Sequence, residues 1–94
     1  MQLVDEILGK LENADNVTKN KLENMLVNQG SSVVEELVNQ LQIVHGIKRG
    51  VVAMSLIRIG EASVNCLKKA ASKNKDFAWV AKYLISEIDS TLAA

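Results

Sequence analysis

A pattern that recurs about every 30 residues restricts this chain more than any other feature. Gly30 and Gly60 are 30 residues apart, and the apolar residues around them fall into register when the two glycines are aligned. The matching pairs are Leu26 with Leu56, Val34 with Val64, and Leu37 with Leu67. One period earlier, Val4, Ile7 and Leu11 repeat the spacing of Val34, Leu37 and Leu41. Periods of this length are typical of stacked repeat units, each of which needs a neighbour to cover its apolar face.

Within the repeats, the apolar residues follow helical spacing. Six segments carry apolar residues at i, i+3 and i+4, and sustained strand alternation is not found. Glycines follow several of these segments, at positions where a left-handed residue commonly ends a helix. The sequence therefore predicts an all-α fold with helices at about 2–13, 17–29, 32–44, 48–59, 62–73 and 76–91.

One turn resembles a known repeat. The run from Val51 to Glu61, with Ile59-Gly60-Glu61 at its end, resembles the Ile-Gly-Asp turn of HEAT-like repeats of the phycobilisome-lyase type. The resemblance covers roughly residues 17–88, although Glu61 and Ser31 stand where the family has Asp. It implies one domain over residues 1–94, built from antiparallel helical hairpins stacked in a short right-handed solenoid. The alternative is a six-helix bundle without repeats, in which Val34 and Val64 would have unrelated environments.

Composition and charge favour a soluble protein of the cytoplasm. The chain has 94 residues, 48% of them hydrophobic, and a single cysteine, which cannot form an intrachain disulfide. Its most apolar stretch, residues 43–59, is interrupted by three basic residues and is short for a membrane span. Net charge is zero, but residues 1–47 carry seven acids against three bases and residues 48–94 carry eight bases against four acids.

The sequence shows no arrangement of catalytic residues. The single histidine, His45, and the single cysteine, Cys66, are assigned to different helices, and no phosphate-binding glycine loop is found. The acidic pairs Asp5-Glu6 and Glu35-Glu36 occupy equivalent repeat positions, but a helical carboxylate site usually includes histidine. We therefore expect a solvated acidic ridge, no metal, no cofactor and no enzymatic activity.

Partner binding is the function that a helical stack of this kind favours, because the second helices of its repeats line up as a ridged surface. In this sequence those are the first, third and fifth helices. Their predicted outward residues are Asp5, Glu6, Lys10, Glu35, Glu36, Asn39, Gln40, Asn65, Lys68, Lys69 and Lys73. The ridge runs from acidic to basic along the chain.

Two aromatic residues mark a second candidate surface, on the last helix. Trp79 and Tyr83 are spaced i, i+4 and therefore lie on one side of that helix. Exposed aromatic residues are common interface anchors. The sequence leaves open whether they bind a partner or fold down as the polar-edged cap that ends a repeat stack.

We therefore predict a protein–protein interaction or scaffold module, with another protein or a second copy of this chain as the partner. The first alternative is nucleic-acid binding by the basic half, which includes Lys68, Lys69, Lys73, Lys75 and Lys82. The second alternative is an accessory subunit of an enzyme, which the resemblance to lyase-type repeats suggests.

Overall fold

The computed structural model describes residues 3–93, and side chains through residue 90, so that Gln2 in the first predicted helix lies outside the described residues. Six α-helices occur: α1 (Leu3–Gly9), α2 (Asn16–Asn28), α3 (Val34–Leu41), α4 (Gly46–Ile59), α5 (Val64–Lys73) and α6 (Lys75–Ala93). Two short 3-10 turns, Gly30–Val33 and Gly60–Ser63, precede α3 and α5. The prediction of an all-helical chain is confirmed for these residues, which contain no strand.

The number of helices depends on how the second 3-10 turn is counted. The predicted fourth and fifth helices run through Gly60–Ser63 without a non-helical residue, as one segment from Gly46 to Lys73. Counted as uninterrupted stretches, the described residues form five helical segments and not the six predicted. The direction nevertheless changes inside that segment, because Gly60 has a φ of 86° and a ψ of −136°, which no α-helix contains.

The two 3-10 turns share a local conformation at the repeat distance seen in the sequence. Gly30 and Gly60 both have positive φ, and each begins a four-residue 3-10 turn that leads into an α-helix starting with valine. Glycine adopts positive φ without the steric cost that a Cβ atom adds. Asn13, in the connection between α1 and α2, also has a positive φ, of 65°. The first helix is shorter than predicted and ends at Gly9.

Side-chain hydrogen bonds fix the start of α2 and the second 3-10 turn. The carboxylate of Asp15 accepts a hydrogen bond from the Thr18 amide at 2.8 Å, and this bond lowers the pKa of Asp15. In the second turn, the buried Ser63 hydroxyl donates to the Leu56 carbonyl at 2.8 Å. The same carbonyl also accepts the Gly60 amide, so Ser63 adds a second hydrogen bond at the end of α4.

The helices contact one another in two chains of neighbours. α2 packs against α4, and α4 packs against α6; α3 packs against α4 and α5, and α5 packs along α6. We call α2, α4 and α6 the first helix set and α1, α3 and α5 the second helix set. Between them lies an aliphatic core, whose most deeply buried large residues are Ile7, Leu11, Leu26, Leu37, Leu41, Leu56, Leu67 and Ile88.

Polar pairs link helices of the same set across neighbouring units. Asp5 of α1 accepts a hydrogen bond from the Gln40 side chain of α3 at 2.7 Å. Glu23 of α2 pairs with Arg58 of α4, also at 2.7 Å. Both pairs join residues that are 35 positions apart. Polar side-chain pairs thus connect helices within each set, in addition to the apolar core.

The segment Gly46–Lys73 is long and apolar enough to cross a membrane by length and composition alone. The change of direction at Gly60 divides it into helices of 14 and 10 residues, and about 20 residues are needed to span the hydrocarbon core. In this fold, Val52, Leu56 and Leu67 of the segment are buried against the other helices. Several of its apolar residues therefore form part of the protein core, whereas Ile47 and Met54 are exposed.

Candidate functional site

Large exposed apolar side chains are concentrated on the first helix set. α2 exposes Val17 and Met25, α4 exposes Ile47 and Met54, and α6 exposes Trp79 and Tyr83. In the second helix set, α1 exposes Leu3, whereas α3 and α5 expose none within the part of the chain that the structure describes. The surface that sequence reasoning assigned to the partner, on the second helix set, is therefore the more polar of the two.

Trp79 and Tyr83 are exposed because the buried stripe of α6 lies on its other side. The core-facing residues of α6 are Phe77, Ala81, Leu84 and Ile88, which have helical spacing. Trp79 comes two residues after Phe77, which places it about 200° around the helix. Its side chain is 72% exposed and that of Tyr83 is 60% exposed. The two aromatics thus do not fold down as a cap, the reading that the sequence had left open.

The two aromatics line a hollow between α4 and α6, which we call the α4–α6 groove. Its volume is about 350 Å³. The lining residues are Leu41, Gly46, Arg49, Gly50, Ala53, Trp79, Val80, Tyr83 and Leu84. Apolar atoms dominate this lining, and Arg49 is its only charged residue. Such a groove can receive apolar side chains from another molecule.

The α4 side of this groove is open because its residues are small. Gly46, Gly50 and Ala53 lie on one side of α4, at a spacing of i, i+4 and i+7. A Cβ atom added at Gly50 would meet no other atom within 4 Å. The glycine therefore leaves open space and is not required by a close helix contact inside this chain. A glycine inside a helix costs about 1 kcal/mol relative to alanine, so α4 is less stable than it could be.

A second hollow lies between α3 and α5 and is lined by several residues of the predicted ridge. This α3–α5 groove has a volume of about 410 Å³. Its lining residues are Glu35, Val38, Asn39, Gln42, Cys66, Lys69, Ala70 and Lys73. Four of the predicted partner residues, Glu35, Asn39, Lys69 and Lys73, thus lie around one groove. Its rim carries charges of both signs, unlike that of the α4–α6 groove.

The predicted ridge residues Asn65, Lys68 and Glu36 lie outside both grooves. Asn65 and Lys68 are exposed on α5, whereas Glu36 is half-buried. Burial, together with the nearby charge of Asp5, raises the pKa of the Glu36 carboxyl. One oxygen of that carboxyl is buried and accepts no hydrogen bond from the described residues. Glu36 therefore lies on the α1 side of α3, near Asp5 of the same predicted ridge, and is more buried than the outward position predicted for it.

Residues with catalytic potential are separated. Cys66 is half-buried in the α3–α5 groove, whereas His45 precedes α4 and lines a different hollow with Glu12 and Lys48. Among residues 3–93, no three His, Cys, Asp or Glu side chains come close enough together to hold a metal ion. The described geometry offers no nucleophile–base pair between these two residues.

Sequence reasoning missed the α4 half of the α4–α6 groove. Trp79 and Tyr83 were found from their chemistry and spacing, but Gly46, Arg49 and Gly50 were not associated with them. The spacing of the small residues on α4 was a usable signal. The proximity of α4 to α6 could not be recognised from the sequence, because it depends on how the helices pack.

Comparison of the chain with protein-family models, curated proteins and solved structures found no significant match.

Proposed function

We propose that this chain is a non-catalytic interaction module that holds apolar side chains of another protein in the α4–α6 groove. The observation that carries the proposal is the exposure of Trp79 and Tyr83 beside an apolar hollow whose far side is lined by glycine and alanine. Exposed aromatic side chains next to a concave apolar surface are typical of interface anchors, because they lose little conformational entropy and cover a large area on binding.

We also propose that the helices form a short right-handed HEAT-like stack of antiparallel hairpins. Three observations support this arrangement: the 30-residue register, the matching turns at Gly30 and Gly60, and the contacts of α2 with α4 and of α4 with α6. In such a stack each unit contacts mainly its neighbours, so grooves between helices of the same set are open along the surface. A cytoplasmic location fits the single free thiol, Cys66.

A groove-filling variant tests the interaction proposal directly. The probe is a fluorescein-labelled amphipathic helical peptide of about 16 residues, long enough for a helix to form. It carries leucines at i, i+3 and i+7, and binding is followed by fluorescence anisotropy. We expect Gly50→Leu to abolish binding, because the new side chain occupies the open space beside the groove lining.

The matched control is Gly9→Leu. Gly9 is also helical and also has nothing within 4 Å of an added Cβ, but it lies at the end of α1 and lines neither groove. We expect Gly9→Leu to leave the affinity unchanged. Equal loss of affinity in both variants, or unchanged binding to Gly50→Leu, would contradict the proposal.

Self-association is tested by the emission of Trp79, the only tryptophan of the chain. A blue shift with rising protein concentration, together with a doubled mass in light scattering, would identify a second copy as the occupant of the groove. A constant mass and an unshifted emission would assign the groove to a foreign protein. Binding of a DNA duplex that weakens steeply with salt, with Trp79 emission unchanged, would instead favour the nucleic-acid alternative.

A further inference from the structure

The charges around the α4–α6 groove indicate what kind of segment it selects. α4 carries three basic residues, and two of them are paired: Lys48 with Glu12 at 3.5 Å and Arg58 with Glu23 at 2.7 Å. The third, Arg49, is half-buried and has neither an ion pair nor a hydrogen bond within the described part of the chain. Arg49 therefore differs from both of its neighbours on the same helix.

Arg49 lies where it can meet a ligand. It lines the α4–α6 groove and also a smaller adjoining hollow, formed with Asn74, Asp76 and Phe77 at the start of α6. Asp76 is the acidic residue of that hollow, but the two side chains form no ion pair within 4.0 Å. The guanidinium of arginine has five N–H donors in a planar arrangement that matches both oxygens of a carboxylate. At Arg49 these donors have no carboxylate partner among the described residues.

Arg49 and the apolar lining together specify the partner more narrowly. This inference rests on the proposed function. We infer that the α4–α6 groove binds an amphipathic helix of another protein that places a carboxylate against Arg49 and apolar side chains between Trp79 and Gly50. Arg49 is then the specificity residue of the groove. The apolar contacts supply most of the affinity, and the ion pair selects acidic over neutral helices.

The test compares two labelled helical peptides of about 16 residues that differ at one type of position. Both carry the same leucine spacing. One has glutamates flanking the leucines, and the other has glutamines at the same positions. At low salt, we expect the acidic peptide to bind wild-type protein about tenfold more tightly, as a charge-assisted bidentate pair allows. The preference should decrease as salt is added.

Variants of this protein locate the source of the preference. Arg49→Gln should reduce the preference to about twofold or less while the glutamine peptide keeps its affinity, and Arg49→Lys should retain part of it, because lysine is a cation without the planar fork. The matched control is Lys68→Gln, which removes one positive charge from an exposed site on α5. This control should preserve the preference.

The outcomes separate this inference from the proposed function. If both peptides bind wild type equally, or if Lys68→Gln loses the preference as fully as Arg49→Gln, the role of Arg49 is wrong and the groove still binds apolar helices. If neither peptide binds nor shifts the emission of Trp79, the proposed function fails together with this inference. Assembly of the protein with itself at the groove, in place of peptide binding, would also overturn the assignment to a foreign acidic helix.

Discussion

The α4–α6 groove and the α3–α5 groove are similar in size and opposite in chemistry. Each lies between two helices of the same set, and their volumes are 350 Å³ and 410 Å³. The first is lined by aromatics, glycines and a single arginine, whereas the second is surrounded by a glutamate, two lysines and two amides. The packing of neighbouring helices forms a groove of similar size in both places. The chemistry of each groove depends on the few residues that line it.

This comparison also explains why two separate partner surfaces were predicted from the sequence. Charged residues were assigned to the partner because they lie on the second helix set, and aromatic residues because of their type. Solvated lysines and glutamates hold no fixed geometry and lose hydration on binding, so an exposed charge by itself contributes little affinity. The aromatic groove is therefore the stronger candidate, and substitution or labelling of residues in each groove can separate the two.

The largest expected effect is on affinity. Trp79→Ala should weaken binding of the acidic helical peptide by about 30-fold, as the loss of an interface anchor does. Lys73→Ala, its counterpart at the rim of the α3–α5 groove, should change affinity by about threefold at most. Fluorescence anisotropy measures both, and circular dichroism checks that each variant melts within a few degrees of wild type. A larger effect from Lys73→Ala would reverse the assignment of the two grooves.

The next effect is on stability. Gly50→Ala should raise the free energy of unfolding by about 1 kcal/mol, because alanine favours the helix and its Cβ meets no atom within 4 Å. For a domain of this size that corresponds to a rise in Tm of about 4–8 °C. The same methyl group narrows the α4–α6 groove, so peptide affinity should fall while stability rises.

Urea unfolding and peptide titration of the same sample would show these opposite changes. A matched substitution, Gly60→Ala, should instead destabilise the protein by about 1–3 kcal/mol, because Gly60 has a φ of 86°. If Gly50→Ala improved binding, the open space beside Gly50 would not be part of the site.

A smaller effect concerns pH and the half-buried Glu36 of the second helix set. Its pKa is raised in the folded protein, so the folded state binds a proton more tightly than the unfolded state. Its contribution to stability therefore decreases as pH rises from the ordinary pKa of glutamate through the raised value. Glu36→Gln should be more stable than wild type above this window and equal to it below. Unfolding measured across acidic and neutral pH should show the two curves converging only at low pH.

The last prediction is that labelling of Cys66 leaves peptide affinity unchanged. Cys66 is the only cysteine and lines the α3–α5 groove, so a bulky maleimide on its sulfur obstructs that groove. Labelled protein should bind the acidic helical peptide with unchanged affinity, provided that circular dichroism shows it to remain folded. A marked loss of affinity in folded, labelled protein would indicate that the peptide occupies the α3–α5 groove.

Much of the fold could be predicted from the sequence, because helices and their ends depend on residues close together along the chain. The helical regions were located from apolar spacing, although the predicted fourth and fifth helices form one continuous segment. Glycines after the periodic segments were expected to be left-handed, and Gly30, Gly46 and Gly60 have positive φ. The helix bounds were predicted less accurately. The first helix ends at Gly9, before its predicted end near residue 13. The third was predicted to begin at Ser32, which instead lies in a 3-10 turn and donates its hydroxyl to the Gln29 carbonyl.

The sequence by itself determined the helices, their apolar stripes, the 30-residue register and the chemical character of Trp79 and Tyr83, since each depends on neighbours within a few residues along the chain. Only the tertiary structure decided that these aromatics are exposed, that they face Gly50 and Arg49 across a groove, and that Lys48 and Arg58 are paired while Arg49 is not. The physical reason is that exposure and pairing depend on the rotation and spacing of packed helices. Those are set jointly by the whole core, and no single segment encodes them.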